Sequence, residues 1–347
     1  MERIDIELIN KLEQMVKSST KSIVLIPHTN PDGDAMGSVL GLWRVLQNAG
    51  HKVNVISPTK YPEFYHWMDG HDQVIIFSHH HKQAARAIDE SDLIICMDFN
   101  HLSRLGDMKP LVENFKGPKV LIDHHPYPSD FADLVISDVT CSSTAELIFS
   151  VLQSTQYASF IDRNAATSFF TGLMTDTGSF DFNVSDPRTF ETAAQLTRLG
   201  IDQLDIHARI YDNYSADRMR LMGFCLSNRM TIYPEYHAAS MYITLEDQKA
   251  FNFVTGDNEG FVNMPLSIRG VIFCVLFTEK EKYIKASFRS KGEFAVNEVS
   301  EKYFNGGGHR NAAGGELYAS LTDTLAQFEK ILPEFEEKIK QSVNKQS

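Results

Sequence analysis

The sequence is poor in cysteine and lacks the cysteine spacing that builds a disulfide framework or a zinc knuckle. Its four cysteines, Cys96, Cys141, Cys225 and Cys274, are scattered along 347 residues, and no CxxC pair occurs. Most of them stand among apolar residues, where a thiol behaves as a small hydrophobic side chain. We therefore expect buried free cysteines rather than a cross-linked or zinc-stabilised fold.

Long apolar runs are absent as well. No run of 18 consecutive apolar residues occurs, which leaves no candidate for a membrane-spanning helix. Near the N-terminus, Ile4, Leu8, Leu12, Met15 and Val16 recur at helical spacing among charges, without the uninterrupted apolar core of a signal peptide. The sequence therefore predicts a cytoplasmic protein that does not associate with a membrane.

Basic residues are in the minority. The chain has 33 Lys and Arg against 45 Asp and Glu, for a formal net charge of −12. This balance argues against non-specific binding to long duplex nucleic acid, which needs a broad basic surface. A small anionic substrate stays compatible with it, because bound divalent cations neutralise a carboxylate cluster locally.

The first half of the chain alternates short apolar runs with helical patterns such as Asp34–Ala49 and His79–Asp89. Strands that alternate with helices predict an α/β fold with a mostly parallel sheet flanked by helices. The predicted strands are Ile23–Pro27, Lys52–Ser57, Gln73–Phe77, Asp92–Asp98, Lys119–Asp123 and Asp133–Ser137.

The second half has a different texture. Residues 143–228 are almost wholly helical in pattern, and from about Met230 the segments "AASMYIT", "GVIFCVLFTE" and "YIKASFRS" predict strands of a smaller α+β domain. An amphipathic helix is predicted from Leu321 onward. We therefore expect a catalytic domain over residues 1–199, a helical linker over 200–228, a second domain over 229–347, and an active-site cleft between the domains.

Consecutive histidines in "SHHHK" are a candidate metal site that we set aside. Ser78 has the character of a helix N-cap, and consecutive side chains of a helix point in different directions. We expect a solvated helix start there. The segment "TEKEKYIK" likewise predicts an exposed hairpin rather than a basic patch.

Carboxylates and imidazoles follow four strand or helix ends of the first domain. They are His28, Asp32 and Asp34 in "HTNPDGDAMGS", Asp98 after "DLIICM", Asp123, His124 and His125 in "DHH", and Asp176 in "TGLMTDTGSF". Any one of them could be a helix cap, a turn residue or a loop histidine, but capping explains four such ends poorly. Ligands of α/β sheets bind beyond the carboxyl ends of the strands. We therefore interpret these residues as one metal site.

The donor types indicate which metal. Carboxylate oxygens mixed with imidazole, without thiolate, suit manganese or magnesium better than structural zinc. Two such ions side by side can hold the attacking and leaving oxygens of a phosphoryl displacement. The pattern therefore predicts phosphoester chemistry.

The motifs also carry a family resemblance. The series "HTNPDGDAMGS", Asp98, "DHH" and "TDTGSF" resembles the DHH phosphoesterase superfamily across the first half of the chain. The segments "ASFRS" and "NGGGHRNAAGG" resemble its DHH-associated substrate-binding domain. The two-domain form is most similar to the subgroup of bifunctional oligoribonucleases and pAp phosphatases, formerly called exopolyphosphatase-related.

The resemblance implies roles for individual residues. One ion would be held by His28, Asp32 and Asp98, and Asp98 would bridge to a second ion. The remaining ligands of that second ion would be Asp34, His124 and Asp176. Asp123 would orient the site from behind the ligands, and His125 would face the substrate and polarise a phosphoryl oxygen or assist the leaving group. The expected cofactors are two divalent cations, most simply Mn²⁺, with Mg²⁺ or Co²⁺ as alternatives.

The second domain supplies the expected substrate contacts. A glycine run lets backbone N–H groups approach an anion, and an arginine fork matches a phosphate. The candidate residues are Asn263, Ser287, Arg289, Gly306, Gly307, Gly308, His309 and Arg310.

The resulting hypothesis is a two-metal phosphoesterase that hydrolyses short oligoribonucleotides and adenosine 3′,5′-bisphosphate (pAp). The alternatives are a phosphodiesterase for cyclic dinucleotides or their linear products, an enzyme acting on pyrophosphate or polyphosphate, and a nucleotide sensor without turnover. The expected partner is a small nucleotide or short single-stranded RNA. The sequence does not rank these substrates, and it leaves a homodimer open.

Overall fold

The computed structural model describes residues 4–19, 22–181, 184 and 186–344. It divides into two compact units, Met1–Asn213 and Tyr214–Ser347, which we call the first and second units. The division falls inside residues 200–228, where we expected a helical linker. The predicted domain limits stay a prediction.

The first unit contains a six-stranded sheet in which every neighbouring pair is parallel, in the order β3-β2-β1-β4-β5-β6. The strands are β1 Ile23–Ile26, β2 Val53–Ser57, β3 Ile75–Ile76, β4 Leu93–Met97, β5 Lys119–Asp123 and β6 Leu134–Ser137. The predicted parallel sheet is therefore confirmed. The strand order reverses between β1 and β4, and such a reversal opens a crevice at the carboxyl ends of the two strands.

Helices cover both faces of this sheet. They are α1 Ile6–Ser18, α2 Gly33–Asn48, α3 His81–Asp89, α4 Lys109–Asn114, α5 Thr144–Gln153, α6 Arg163–Asp176, α7 Pro187–Arg198 and α8 Gln203–Tyr211. Consecutive strand residues point to opposite faces, so Leu25 packs into the core beneath α1, α2, α5 and α6. Its neighbour Val24 packs into the separate core beneath α3 and α4.

Helix α3 begins later than we predicted. Its N-cap is His80, not Ser78. The reason is the turn that leaves β3, in which the N–H groups of His79 and His80 donate to the carbonyl of Ile76. Residues 78–80 therefore belong to this turn, and the helix begins at His81. The three histidines are exposed, as expected.

Helices α2 and α6 pack with their backbones close together. A Cβ atom at Gly37 of α2 would lie 2.5 Å from the carbonyl oxygen of Ser168 in α6. A Cβ atom at Gly172 of α6 would lie 2.8 Å from Asp34 Oδ1. Only glycine permits such an approach at both positions. This packing sets Asp34, in the first turn of α2, beside the last turn of α6.

The second unit is a smaller α+β fold, as predicted. Its six-stranded sheet has the order β11-β12-β10-β9-β8-β7, with β8 and β9 parallel and the other neighbours antiparallel. The strands are β7 Met230–Tyr233, β8 Ala238–Ile243, β9 Phe273–Glu279, β10 Ile284–Ser290, β11 Gly307–Gly308 and β12 Ala312–Leu317. The helices are α9 Ala216–Asn228, α10 Leu245–Ala250, α11 Val296–Tyr303 and α12 Leu321–Asn344.

Phenylalanine rings dominate the core of the second unit. Phe273, Phe277, Phe288, Phe304 and Phe328 are fully buried and lie in ring contact with one another. The predicted hairpin between β9 and β10 and the predicted C-terminal helix α12 are both confirmed. These rings form the core on one side of the sheet, and a second buried cluster that includes Met241, Cys274 and Leu276 packs on part of the other side.

The expectations drawn from absent features can also be checked. All four cysteines are buried and unpaired, as predicted. Across the described ranges, no helix is both long enough and apolar enough to cross a membrane.

Candidate active site

His28 lies just beyond the carboxyl end of β1 and is buried. Its Nδ1 lies 2.7 Å from the carbonyl oxygen of Thr29, to which it donates a hydrogen bond. That bond leaves the lone pair on Nε2, the nitrogen that binds metals when Nδ1 is so occupied. Nε2 is 3.5 Å from Asp98 Oδ2 and 3.9 Å from Asp32 Oδ2. The ring is therefore fixed with its free nitrogen towards two carboxylates.

Asp32 caps a helix and also faces the candidate metal site, which are the two roles considered for it from the sequence. Its Oδ1 accepts hydrogen bonds from the N–H groups of Asp34 and Ala35, each at 3.1 Å, and so caps helix α2. Its Oδ2 faces His28 Nε2. Capping holds one oxygen in place and leaves the other for a ligand.

Asp34 is buried at the N-terminus of a helix other than its own. Its Oδ2 accepts from the N–H of Thr144 at 2.6 Å, and its Oδ1 from the N–H of Ala145 at 2.9 Å. These two residues begin helix α5, whose N-terminal N–H groups stabilise an anion. Burial nevertheless raises the pKa of Asp34, since the imidazole of His124 and the N–H donors only partly offset desolvation.

Asp98 occupies the centre of the cluster. Its φ of 65° is a left-handed conformation that aspartate tolerates better than most residues, and it follows directly on β4. The N–H still donates to the carbonyl of Ile122 in β5 at 3.1 Å. Burial raises the pKa of Asp98 well above its usual value, and the charges of nearby carboxylates, with Asp34 the strongest, add to the effect. Such a carboxylate is poised to exchange a proton for a cation.

His124 approaches the cluster from the end of β5. Its Nδ1 lies 3.2 Å from the carbonyl oxygen of Cys141, to which it donates. Its Nε2 is 3.4 Å from Asp176 Oδ2, 3.8 Å from Asp98 Oδ1 and 3.9 Å from Asp34 Oδ2. Burial lowers the pKa of the ring, but the carboxylates, Asp176 first, outweigh it, so that the pKa is raised.

Asp123 contacts His125. The His125 Nδ1 donates to Asp123 Oδ1 at 2.7 Å and lies 3.8 Å from Asp98 Oδ1. Burial opposes the Asp123 charge, but the hydrogen bonds and the charge of His125, together with the charge of His124, outweigh burial and lower the pKa of Asp123. The other oxygen, Oδ2, is buried and has no hydrogen-bond partner among the described residues. Backbone carbonyls hold His28 and His124, and Asp123 holds His125. The predicted role of Asp123 in orienting the site from behind the ligands stays a prediction.

The donor set fits divalent cations. Within the described part of the first unit, three groups of donor atoms lie within 4.8 Å of one another: His28, Asp32 and Asp98; Asp34, His124 and Asp176; and Asp98, Asp123 and His125. Nitrogen–oxygen distances of 3.4–3.9 Å are too long for hydrogen bonds. They are close to the roughly 3 Å that separates two ligands of one small cation bound at about 2.1 Å. Imidazole nitrogens that face carboxylates at this spacing can serve as cation ligands when the rings are neutral.

Two residues near this cluster escaped the sequence analysis. The Thr144 hydroxyl donates to Asp98 Oδ1 at 2.9 Å, while its N–H donates to Asp34. Arg104 is exposed, and its charge reaches the cluster: burial lowers the pKa of His28, and the Arg104 charge adds to that shift. The "SST" start of helix α5 predicts a cap, which Ser143 provides, but no local pattern shows a contact 46 residues away along the chain.

Several predicted substrate residues lie together on one side of the second unit's sheet. In β10, Ser287 and Arg289 point away from the buried positions Ala286 and Phe288. Ser287 pairs with Gly314 of β12, which also pairs with Gly307 of β11. Arg289 pairs with Ala312, whose carbonyl accepts from the N–H of His309 at 2.8 Å. Register therefore brings Ser287, Arg289, Gly307 and His309 into one neighbourhood.

The glycine run has a structural role that we did not predict. A Cβ atom at Gly306 would lie 1.9 Å from the carbonyl oxygen of Gly314, and its N–H already donates to Ser300. Gly308 has a φ of 140°, and a Cβ atom at this position would clash with Ala312. A Cβ atom at Gly307 would be in ordinary contact with the side chain of Glu301 at 3.9 Å. Close strand packing thus explains the outer two glycines, and only at Gly307 would a Cβ atom fit without a clash.

The two remaining candidates lie on either side of this neighbourhood. Asn263 is half-buried in a short 3₁₀ helix, next to Val262, whose carbonyl accepts from the thiol of Cys274. Cys274 pairs with Arg289 across β9 and β10. Arg310 is exposed, and its guanidinium is 4.0 Å from Glu293. Arg310 is therefore a surface charge with a weak ion pair.

Comparison with known families matches both halves of the chain. Residues 22–173 match the DHH family, N-terminal domain, and residues 241–341 match the DHHA1 domain. A crystal structure of an exopolyphosphatase-related protein from Bacteroides fragilis is 39% identical, has a TM-score of 0.94, and covers 98% of this chain and 99% of its own. The agreement extends over both units.

Two curated relatives are similar over most of the chain. The bifunctional oligoribonuclease and PAP phosphatase NrnA of Bacillus subtilis (strain 168) is 27% identical over 322 residues, which are 91% of this chain and 96% of the relative. The cyclic-di-AMP phosphodiesterase PdeA of Listeria monocytogenes (serotype 1/2a, strain 10403S) is 26% identical over 339 residues. These cover 95% of this chain but 49% of the relative.

Proposed function

The chain belongs to the DHH family of phosphoesterases, and from this premise we propose that it hydrolyses short oligoribonucleotides and pAp in a reaction that depends on two divalent cations. The observation that carries the proposal is the position of Asp98. Its two oxygens lie 3.5 Å from His28 and 3.8 Å from His124 respectively. One carboxylate can therefore serve two cation positions at once.

We assign the first position to His28 Nε2, Asp32 Oδ2 and Asp98 Oδ2, and the second to Asp34, His124, Asp176 and Asp98 Oδ1. When bound, two cations acidify a water molecule and offset negative charge on the phosphoryl oxygens. Manganese suits this mixture of carboxylate and imidazole. The residues themselves keep the site in order: carbonyls fix the two histidine tautomers, and Asp32 and Asp34 are held by N–H groups at helix N-termini.

His125 is the residue we assign to the substrate. Its side chain is 22% exposed, unlike the buried rings of His28 and His124. Asp123 holds its Nδ1, which leaves Nε2 to donate a hydrogen bond to a phosphoryl oxygen or a proton to the leaving oxygen.

The second unit would recognise the rest of the substrate. Arg289 offers a planar fork for a phosphate, with Ser287, Gly307 and His309 as neighbours in the same part of the sheet. The 27% identity with NrnA of Bacillus subtilis over 91% of this chain favours short RNA and pAp as substrates. Hydrolysis of cyclic dinucleotides is the second candidate, because the similarity to PdeA covers 95% of this chain.

A substrate panel tests the proposal. Purified protein is freed of metal, loaded with Mn²⁺, and given pAp, ribonucleotides of two to five residues, cyclic di-AMP, its linear product and a 24-residue duplex. We expect release of AMP from pAp and of mononucleotides from short RNA, loss of both activities in EDTA, and little attack on the duplex. Preference for cyclic di-AMP would favour the second candidate, and hydrolysis that is unaffected by EDTA would contradict the cation-dependent reaction.

A further inference from the structure

Tyr127 is the most exposed large hydrophobic side chain of the described part of the first unit. It is 90% exposed, although single exposed aromatic residues are usually partly covered by their neighbours. Its ring has no contact with another aromatic ring, and its hydroxyl no hydrogen bond, among the residues that the structure describes. The fold therefore gains nothing from the aromatic side chain at this position.

The backbone conformation of Tyr127 is also unusual. Its φ is 58°, a conformation that is a genuine outlier for a bulky residue and costs free energy. Prolines at 126 and 128 fix their own φ angles on either side, and a following proline further restricts Tyr127. The ring is thus presented to solvent on a stiff support. Strained residues of this kind cluster at ligand sites.

Asn100 ties this segment to the cluster. Its side-chain amide donates to the carbonyl of Pro126 at 2.7 Å. Its own carbonyl accepts from the N–H of Ser129 at 2.8 Å and from the Ser129 hydroxyl at 2.9 Å. Three hydrogen bonds therefore hold both ends of the Tyr127 turn against a residue that lies two positions after Asp98.

Tyr127 is also close in the sequence to a residue of the cluster. Tyr127 follows His125 by two residues, so their Cα atoms lie no more than about 7.6 Å apart. His125 in turn lies 3.8 Å from Asp98. The backbone that carries the exposed ring therefore lies within about 7.6 Å of the residue that we assign to the substrate.

We propose that Tyr127 is a stacking platform for the nucleobase of a nucleotide whose phosphate lies at the Asp98 cluster. The inference rests on the proposed function and names the nucleobase as the part of the substrate that the first unit recognises. An aromatic face attracts a base, because every base has a π-face, and stacking needs no particular base. A phosphate would gain nothing from the negative face of the ring. Tyr127 thus selects nucleotides over other phosphoesters without selecting among bases.

Activity with and without a base gives the first test. The substrates are pAp and ribose 3,5-bisphosphate, which carries the same phosphates but no adenine. Tyr127→Ala should lower kcat/KM for pAp by about 5- to 150-fold, the usual range for loss of one base stack, and leave ribose 3,5-bisphosphate unchanged. Tyr127→Phe should keep near-normal kcat/KM, because stacking needs the ring and not the hydroxyl. Equal losses on both substrates, or a Phe variant as impaired as the Ala variant, would overturn the stacking role.

Binding of the product gives a second test that does not depend on turnover. Tyr127→Trp places a fluorescent ring at the platform, and AMP with Mn²⁺ should change its emission saturably, whereas ribose 5-phosphate should not. Phe160→Trp is the matched control, since Phe160 is an exposed aromatic next to the first turn of α6, at the opposite end from Asp176. A response at position 160 equal to that at 127, or none at 127, would refute the platform.

The two tests separate the platform from the proposed function. An AMP response at position 127 in a protein that hydrolyses none of the nucleotides supports the platform and refutes the proposed function. Hydrolysis of pAp by a Tyr127→Ala variant with unchanged kcat/KM refutes the platform and leaves the proposed function standing.

Discussion

The two units use their functional residues in opposite ways. In the first unit, Asp34, Asp98 and His124 are buried, and His124 Nε2 lies 3.9 Å from Asp34 and 3.8 Å from Asp98. In the second unit, Ser287 and Arg289 are half-buried on one side of a sheet, and much of the glycine run serves strand packing. The first unit thus gathers its candidate ligands in a desolvated cluster at strand ends, whereas strand register places the predicted substrate residues of the second unit side by side on a less buried surface.

Asp98→Ala is expected to have the largest effect, because it removes the carboxylate that both cation positions share. We expect kcat/KM to fall by roughly 10³-fold or more on every substrate, aryl phosphodiesters included. The measurement is steady-state hydrolysis of pAp and of an aryl phosphodiester at saturating Mn²⁺. Asp107→Ala, at an exposed acid nearby in the chain, is the matched control and should be near normal. Near-normal turnover by Asp98→Ala would break the shared-ligand assignment.

Arg289→Ala and His309→Ala probe recognition. Loss of a charge-assisted phosphate contact corresponds to about 1.5–3 kcal/mol, or roughly 10- to 150-fold in kcat/KM. The loss should appear with pAp and short RNA and be much smaller with an aryl phosphodiester, which engages the cluster alone. Lys285→Ala, on the same side of β10, is the control for a general change in surface charge. Equal losses on both kinds of substrate would place Arg289 or His309 in the chemistry rather than in recognition.

Variants of Thr144 test whether Asp98 must be positioned by a hydrogen bond from a residue that is not itself a proposed cation ligand. Thr144→Val removes the hydroxyl that donates to Asp98 and keeps the N–H that donates to Asp34. Loss of a residue that orients a metal ligand costs about 10- to 100-fold in metal affinity or activity. Calorimetric titration with Mn²⁺ should show this weakening, and Thr144→Ser should restore affinity. A Val variant with unaltered affinity would mean that the contact is incidental.

The smallest effect concerns pH. Because folding raises the pKa of Asp98, the cation-free folded state holds a proton that the unfolded chain releases, and this stabilisation is lost as pH rises towards the folded pKa. The Asp98→Asn side chain is an uncharged amide that does not titrate, so this variant does not lose that stabilisation as pH rises. In EDTA, the free energy of unfolding of Asp98→Asn should therefore exceed that of wild type by a gap that grows with pH, by up to about 1.4 kcal/mol per unit. Denaturant unfolding between pH 4 and 7 measures this gap, and a constant gap would contradict the raised pKa.

The strands and the gathering of carboxylates and imidazoles at the strand ends could be predicted because their signals are local. Short apolar runs gave all six strands of the first sheet, and each ended at or near a polar residue that parallel pairing brings to one edge. Strands β11 and β12 could not be predicted from "NGGGHRNAAGG", since glycine carries no alternation of apolar and polar side chains. Their pairing depends on close backbone contact, as at Gly306, which only the fold reveals.

Partners within the site were harder to predict than its members. Asp123 was identified as part of the site, but its bond to His125 depends on how two side chains that are two positions apart turn at the end of β5. Thr144 could not be assigned at all, because its contacts with Asp34 and Asp98 join residues 110 and 46 positions apart. The two prolines beside Tyr127 are visible in the sequence, but its φ and its exposure are known only from the structure.

The central claim is that one carboxylate, Asp98, serves two cation positions at the end of the parallel sheet. Crystals soaked in Mn²⁺ and measured at the manganese absorption edge would locate bound ions directly through anomalous scattering. The account predicts two anomalous peaks about 3.5–4 Å apart, one contacting His28, Asp32 and Asp98 and the other Asp34, His124 and Asp176, with an oxygen of Asp98 at each. A single peak without Asp98, or no peak at this edge of the sheet, would contradict it.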